Sequence, residues 1–312
     1  MLKIYIQLYL LSLSLFMFSQ NTTKIDSIIN NYPKSFKTID EISNKLKSDF
    51  NDQMDYSYAT YMWIISNINY EVNSQINSNQ ILFSYVTEKE RILKEKKAIN
   101  DLANYTISKN SGVCHNFASL FNEICTRNGI ESKLILGNLK STPDQIGEEL
   151  EINHAWNYLK INNNQIIIDC TLGATIKDSS FSNKFYFNSK PELFYLNHFP
   201  LETKLFTSIY PKSTYQNLPL FYEHYYNTKF KLINTNLGIY SFIETNEINL
   251  LFENVNNNFD YFSCYFQSTN TKVELNQNKE SDGFTILLKN HDNDFITIYA
   301  NYKALLTIRI TK

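Results

Sequence analysis

The chain reads as α+β: a helical first third, a cysteine-bearing helix set against an antiparallel sheet, then a small all-β, sandwich-like domain. Three observations predict this. Apolar residues recur at helical spacing up to about residue 110. Two alternating runs, Ile152 to Ile161 and Gln165 to Leu172, flank Asn162-Asn163-Asn164, a hairpin signal. From about residue 213, short apolar or alternating runs are separated by Asn, Asp and Ser turns.

Each element follows in order. Ile25, Ile28 and Ile29 share a helical face before Tyr32-Pro33 breaks the pattern. Thr38 or Asp40 opens a second helix through Ile42, Leu46 and Phe50, and residues 59–65 predict a buried one. Residues 86 to 107 carry charges at 88–91 and then Ile99, Leu102 and Ala103, an amphipathic helix. In the cysteine helix, Phe117, Leu120, Phe121 and Ile124 form a core-facing stripe, and Asn128-Gly129 ends it. Lys133 to Leu139 is a strand, and 140–151 a polar loop. The β runs of the last part are Lys229–Ile233, Ile248–Phe252, Tyr261–Phe266, Phe284–Leu288, Phe295–Tyr299 and Leu305–Ile310. The expected organisation is 1–19 as a signal peptide, 24–212 as one domain (helical part 24–110, core 111–210) and 213–312 as the β domain.

Composition narrows the function. A net charge of -2 with 43% hydrophobic residues describes an ordinary globular chain. No basic stripe points to nucleic acid. Lys3 followed by the apolar run Ile4 to Phe18, then Ser19-Gln20, predicts a secretory signal and export, periplasmic or secreted. That run is short of the ~20 residues a membrane span needs, so no integral span is expected after cleavage. No Cys follows it to take a lipid. The cysteines are Cys114, Cys125, Cys170 and Cys264. Cys114 and Cys125 would lie three helical turns, roughly 16 Å, apart, too far for a disulfide. Their spacing matches no zinc site, and Asp292-Asn293-Asp294 lacks the Gly and Glu of a calcium loop. No metal or organic cofactor is implied. Buried free thiols are expected, one of them reactive.

Cys114, His154 and Asp169 are the parts of a thiolate nucleophile. Cys114 follows a Gly turn at the mouth of a helix, where N–H groups and the dipole favour a thiolate and could hold an oxyanion. His154, Trp156 and Tyr158 share one strand face; Ile167, Asp169 and Thr171 share another. With Asp169 opposite His154, or diagonal to it, the two meet; a slip of one residue separates them. Asp169 would then fix the imidazole tautomer and leave the other ring nitrogen facing Cys114. Plainer readings stand beside this: a buried hydrophobe for Cys114, a hydrogen-bonded strand residue for His154. A carboxylate in an apolar strand needs a partner in any case. Trp156 walls the site or packs the core. His115 points about 100° from Cys114 and takes no role. His198 packs near a domain boundary, while His224 and His291 are surface residues.

Gly-Val-Cys-x-x-Phe-Ala-x-Leu-Phe at 112–121, His-Ala-Trp-Asn at 154–157 and Asp-x-Thr at 169–171 resemble the transglutaminase-like superfamily. Residues 61–70, Tyr186-Phe187, Pro191-Glu192-Leu193-Phe194 and His198-Phe199-Pro200 are similar to its kyphoscoliosis peptidase and cytokinesis-protein branch. The resemblance covers roughly residues 25 to 210. It implies a papain-like fold with Cys114 as nucleophile, His154 as base and acid, and Asp169 as orienter. Members are cysteine proteases, amidases or protein cross-linkers, and some are non-catalytic scaffolds. This chain has Leu172 where the family often has Trp, and Asn116 where it often has Gly. The expected activity is acyl transfer through a thioester, most simply hydrolysis of a protein or peptide amide. The alternative is a binding protein that works through its β domain.

Overall fold

The computed structural model describes residues 22–71, 84–176, 183–203, 206, 210–233, 238–245, 247–254, 261–278, 283–288 and 294–312. The signal segment and His291 lie outside these. The chain divides into two compact units, one of residues up to 136 with 154–189, the other of 137–153 with 190–312.

The first unit begins with helices α1 (22–29), α2 (Ile39–Asp49) and α3 (Gln53–Asn67). Thr38 caps α2 by accepting from the Glu41 N–H, and Asp52 caps α3 by accepting from Met54 and Asp55. Helix α3 is buried nearly all round. Tyr56 Oη donates to the Ile124 carbonyl at 3.0 Å and Trp63 Nε1 to Pro33 at 2.9 Å, so its aromatic residues satisfy their polar ends inside the core. Next come β1 (Asn69–Tyr70), α4 (Glu88–Lys109), β2 (Ser111–Gly112) and α5 (Cys114–Arg127). Strands β1 and β2 pair in parallel, Tyr70 opposite Gly112.

Every residue of α5 from Cys114 to Cys125 is buried, not only the apolar stripe. The reason is packing from all sides: α2, α3, α4, a short helix α6 (Cys170–Thr175) and the strand that carries His154 all meet it. After α5, Gly129 takes a φ of +74° and ends the helix. Strand β3 (Glu131–Leu139) follows, then β4 (His154–Ile161) and β5 (Asn164–Ile168), in the order β5-β4-β3. The hairpin turn is Asn162-Asn163, both at positive φ (50° and 64°). That is the two-residue turn whose twist suits a hairpin. Asn164 is therefore in the strand, opposite Ile161.

The second returning run is shorter than its sequence suggested. Strand β5 stops at Ile168, and residues 170–175 are helical rather than extended. The polar side chain of Asp169 accepts from the Leu172 N–H at 2.9 Å and starts the helix. Gly173 is required inside it, since a Cβ there would sit within 2.8 Å of the Tyr61 ring.

In the second unit, the last residues of β3 pair with β6 (His198–Pro200), which follows α7 (Pro191–Phe194). The polar loop after β3 is tied down by Lys140, which is 1% exposed. Its Nζ donates to the carbonyls of Tyr215, Gln216 and Leu218 at 2.9, 3.2 and 2.7 Å, closing the end of α8 (Lys212–Gln216). His198 is buried, stacked on Phe194 with ring centroids 3.7 Å apart, and donates from Nδ1 to the Phe194 carbonyl. His224 is half-buried rather than a surface residue.

The rest is β7 (Leu220–Phe221), α9 (Glu223–Asn227), β8 (Lys231–Leu232), β9 (Ile239–Ser241), β10 (Glu247–Glu253), β11 (Phe262–Phe266), β12 (Lys272–Asn278), β13 (Gly283–Leu287), β14 (Asp294–Ala300) and β15 (Lys303–Thr311). The strands form one sheet, β7-β15-β14-β11-β12-β13-β10-β8, with β9 parallel on β15. In a flat sheet β10 and β11 would lie roughly 14 Å apart. Yet Phe262 of β11 meets Phe284 of β13 at 4.2 Å and Phe252 of β10 at 6.0 Å between ring centroids. The sheet is therefore curled so that its two halves face one another over a shared core, a sandwich made from one continuous sheet.

Candidate active site

The site is assembled from three stretches of the first unit. Asn157 pairs with Ile168, so the position opposite His154 is that of Thr171 and Asp169 lies on the diagonal. Because the chain turns at Asp169, its two carboxylate oxygens divide their work. Oδ1 accepts the Leu172 N–H at 2.9 Å, and Oδ2 meets His154 Nε2 at 2.6 Å. The helix cap thus aims the carboxylate at the imidazole. Both are buried, Asp169 at 0% and His154 at 4% exposure.

Cys114 is the first residue of α5. Asn116 Oδ1 accepts the Val113 N–H at 3.1 Å, and Asn116 Nδ2 donates to Thr106 Oγ1 at 3.1 Å. The side chain of Asn116 fills the place a Cβ on Gly112 would need, at 2.4 Å. Gly112 and Asn116 are thus a matched pair, the reason this chain can carry Asn at that position. Cys114 packs with Ala118 and Ala155, which joins the start of α5 to β4. Asn157 Nδ2 donates to the Ala118 carbonyl at 2.9 Å and fixes the same junction.

His154 is hydrogen-bonded to Asp169 and lies close enough to Cys114 for the sulfur to affect its titration. Asp169 takes Nε2, which leaves Nδ1 for the thiol. Burial by itself would lower the imidazole pKa. The carboxylate and the sulfur more than offset it and raise the group to about 10. The arrangement favours an imidazolium held against the buried carboxylate. Trp156 lies flat along His154, ring centroids 6.1 Å apart and 26° between planes, and is 1% exposed. It backs the imidazole within the core.

Sequence reasoning missed Tyr70. Its parallel pairing beside Gly112 puts its ring 6.4 Å from that of Phe117 and close enough to Cys114 and Asp169 for both to add to burial in raising its pKa. At 41% exposure it is the open edge of a buried cluster. No local signal marks this, because residues 70 and 112 are joined only through tertiary pairing. His115 is buried on α5. The four cysteines are free thiols, all buried.

The first unit is thus an α+β core that brings a helix-borne thiol near an imidazole–carboxylate pair carried by a hairpin. Residues 38–170 match the family model of the transglutaminase-like superfamily, and this part of the chain is a transglutaminase-like domain. The kyphoscoliosis peptidases of Mus musculus and Homo sapiens are each 25% identical over 170 residues, covering 52% of this chain and 23% of theirs. Cytokinesis protein 3 of Schizosaccharomyces pombe is 31% identical over 129 residues, covering 38% of this chain and 14% of its own. The match thus takes in less than a quarter of either relative's length. A crystal structure of a TGase aligns with 62% of this chain and 38% of its own at 14% identity and a TM-score of 0.30. Among the described residues no helix is long and apolar enough to cross a membrane.

Proposed function

We propose that this chain is an exported, cysteine-dependent acyl-transfer enzyme acting on amide bonds of a protein or peptide. The observation that carries the reading is the buried His154–Asp169 contact of 2.6 Å, with Cys114 near enough to the imidazole to affect its titration. Cys114 Sγ attacks the carbonyl carbon while its proton resides on His154 Nδ1. The first N–H groups of α5 offer the oxyanion its stabilising donors. The imidazolium then gives its proton to the departing nitrogen, the C–N bond breaks, and a thioester remains. Water attacks next, His154 takes its proton, and the acid leaves with the thiol restored. A lysine amine in place of water gives a cross-link. Hydrolysis is favoured because water is always present, and the name of the kyphoscoliosis peptidases supports a peptide substrate. Export rests on the apolar run at residues 4–18 and is checked by sequencing the N-terminus of the secreted protein.

One observation favours a second reading, a binding protein that keeps the fold: Cys114 is 3% exposed. Iodoacetamide labelling read site by site by mass spectrometry separates the two. In an enzyme Cys114 alkylates at pH 6.5 ahead of the other cysteines, and His154→Ala slows it at least tenfold. Labelling of Cys114 only on unfolding would leave the binding protein as the correct reading.

A further inference from the structure

The first unit carries an exposed face that acyl transfer does not use. Helix α4 has 22 residues, and its buried ones, Ala103, Thr106 and Ile107, all lie in the last third. There it is bonded to α5: Thr106 Oγ1 accepts from Asn116 Nδ2 at 3.1 Å, and Asn100 Nδ2 donates to Glu123 at 2.9 Å. From Glu88 to Lys97 no residue is buried. About 15 Å of helix thus runs on with none of its side chains taken into the core.

That stretch is not merely polar. Ile92 and Leu93 are 52% and 59% exposed, and Val86 is 92% exposed. An apolar residue in the place of Val86, just ahead of the Thr87 cap, commonly packs on the first turn of its helix; here it stays open to solvent. Lys89 and Lys96 are exposed beside them. Positions 86, 89, 92, 93 and 96 fall at the spacing of one helical face. The charges around that face are sorted. Glu88 and Glu95 each pair with Arg91 at 2.8 Å, Glu90 with Lys94 at 2.7 Å, and Asp101 with Lys97 at 2.5 Å. Among the described residues, Lys89 and Lys96 have no ionic partner. Residues 88–97 carry five cations and three acids, a positive excess in a chain of net charge -2.

We propose that this face of α4 docks the protein on an anionic lipid surface, with Val86, Ile92 and Leu93 entering the headgroup layer and Lys89 and Lys96 meeting lipid phosphates. A helix that presents apolar side chains together with lysines lies in the plane of such a layer. The lysine stems follow the apolar surface while their ammonium groups reach outward to charge. A peptide partner of the helix-in-groove kind needs walls on both sides, whereas this stretch is a convex ridge. A second copy related by a two-fold axis would set Lys89 and Lys96 against lysines. Two lysines and three apolar side chains make a shallow contact, so the docking is sensitive to salt.

The test places a reporter on the face itself. Trp63 and Trp156 are both buried, so in Leu93→Trp the new indole is the one that responds to lipid. The full chain with this change is titrated with vesicles of phosphatidylglycerol, of phosphatidylcholine, or with polyglutamate, and its emission is followed. A blue shift is expected with phosphatidylglycerol and not with phosphatidylcholine, and high salt should reverse it. Adding Lys89→Glu/Lys96→Glu should raise the lipid needed by about tenfold or more, and adding Ile92→Ser should raise it as well. These are exposed positions, so the Tm should not fall. The signal comes from residue 93, so association through the apolar run at residues 4–18 does not imitate it. Cys114 labelling should be the same in every variant, so failure here leaves the acyl-transfer reading untouched. No shift with phosphatidylglycerol overturns the proposal. So do an equal shift with phosphatidylcholine, indifference to Lys89→Glu/Lys96→Glu, and a shift with polyglutamate alone, which would make an acidic protein the partner. A shift that grows with protein concentration in the absence of vesicles overturns it too, with a second copy as the occupant.

Discussion

Replacing Asp169 by Asn perturbs the candidate site with the least change of shape. Asn can still accept the Leu172 N–H through its Oδ1, so the cap on α6 survives. Its NH2 then faces His154 Nε2, which has to become a bare acceptor, and the ring proton moves to Nδ1, the nitrogen that Asp169 leaves for Cys114. The imidazole can no longer take the thiol proton. In the wild-type protein the imidazole is raised from 6.5 to about 10. That corresponds to a preference for the imidazolium on the order of 5 kcal/mol, most of it owed to the carboxylate. Without it, burial, the largest influence, outweighs the smaller contribution of Cys114, and the imidazolium is no longer favoured. With no base to take the thiol proton, alkylation of Cys114 should slow by roughly tenfold or more. The stability effect has a definite sign. A base whose folded pKa is raised contributes fully below its unfolded value of about 6.5 and loses that contribution as pH rises through the folded value. The wild type should therefore exceed Asp169→Asn most near pH 6, and the gap should narrow towards pH 10. Iodoacetamide rates at pH 7 and urea titrations from pH 6 to 10 measure both. Equal labelling of the two proteins, or a stability gap that does not change with pH, would refute the coupling of His154 to Asp169.

Gly112→Ala should push the Asn116 side chain out of its place, since the new Cβ would lie at 2.4 Å. A loss of about 1–3 kcal/mol in urea titration, with slower Cys114 labelling, is the expected outcome, and Gly112→Ala/Asn116→Gly should recover part of it. Lys140→Met strips three carbonyls of their donor inside the second unit. It should cost about 2–4 kcal/mol in urea titration while leaving Cys114 reactivity unchanged.

Some of this was legible in the residues alone. Alternation put His154 and Trp156 on one strand face, and Asn-rich punctuation marked the hairpin. The number of turn residues was not legible. Three asparagines stand in a row, and only the pairing of Ile161 with Asn164 settles that two of them turn. Asp169 read as a strand residue, because a lone carboxylate after Ile166-Ile167-Ile168 carries no sign that it will cap a helix. The strand Lys272–Asn278 escaped notice, since its outward positions are polar and its apolar ones few.

Local sequence determined what depends on torsions and on nearest neighbours: the helix start at Thr38, the hairpin among the asparagines at 162–164, and the faces of each strand. Only the tertiary structure decided that α5 is enclosed on every side, that Tyr70 lies beside Cys114, and that the late strands join into one curled sheet. Those features bring together segments remote in the chain. Their closeness is set by the burial of shared apolar surface and the satisfaction of buried polar groups, which no short window of sequence contains.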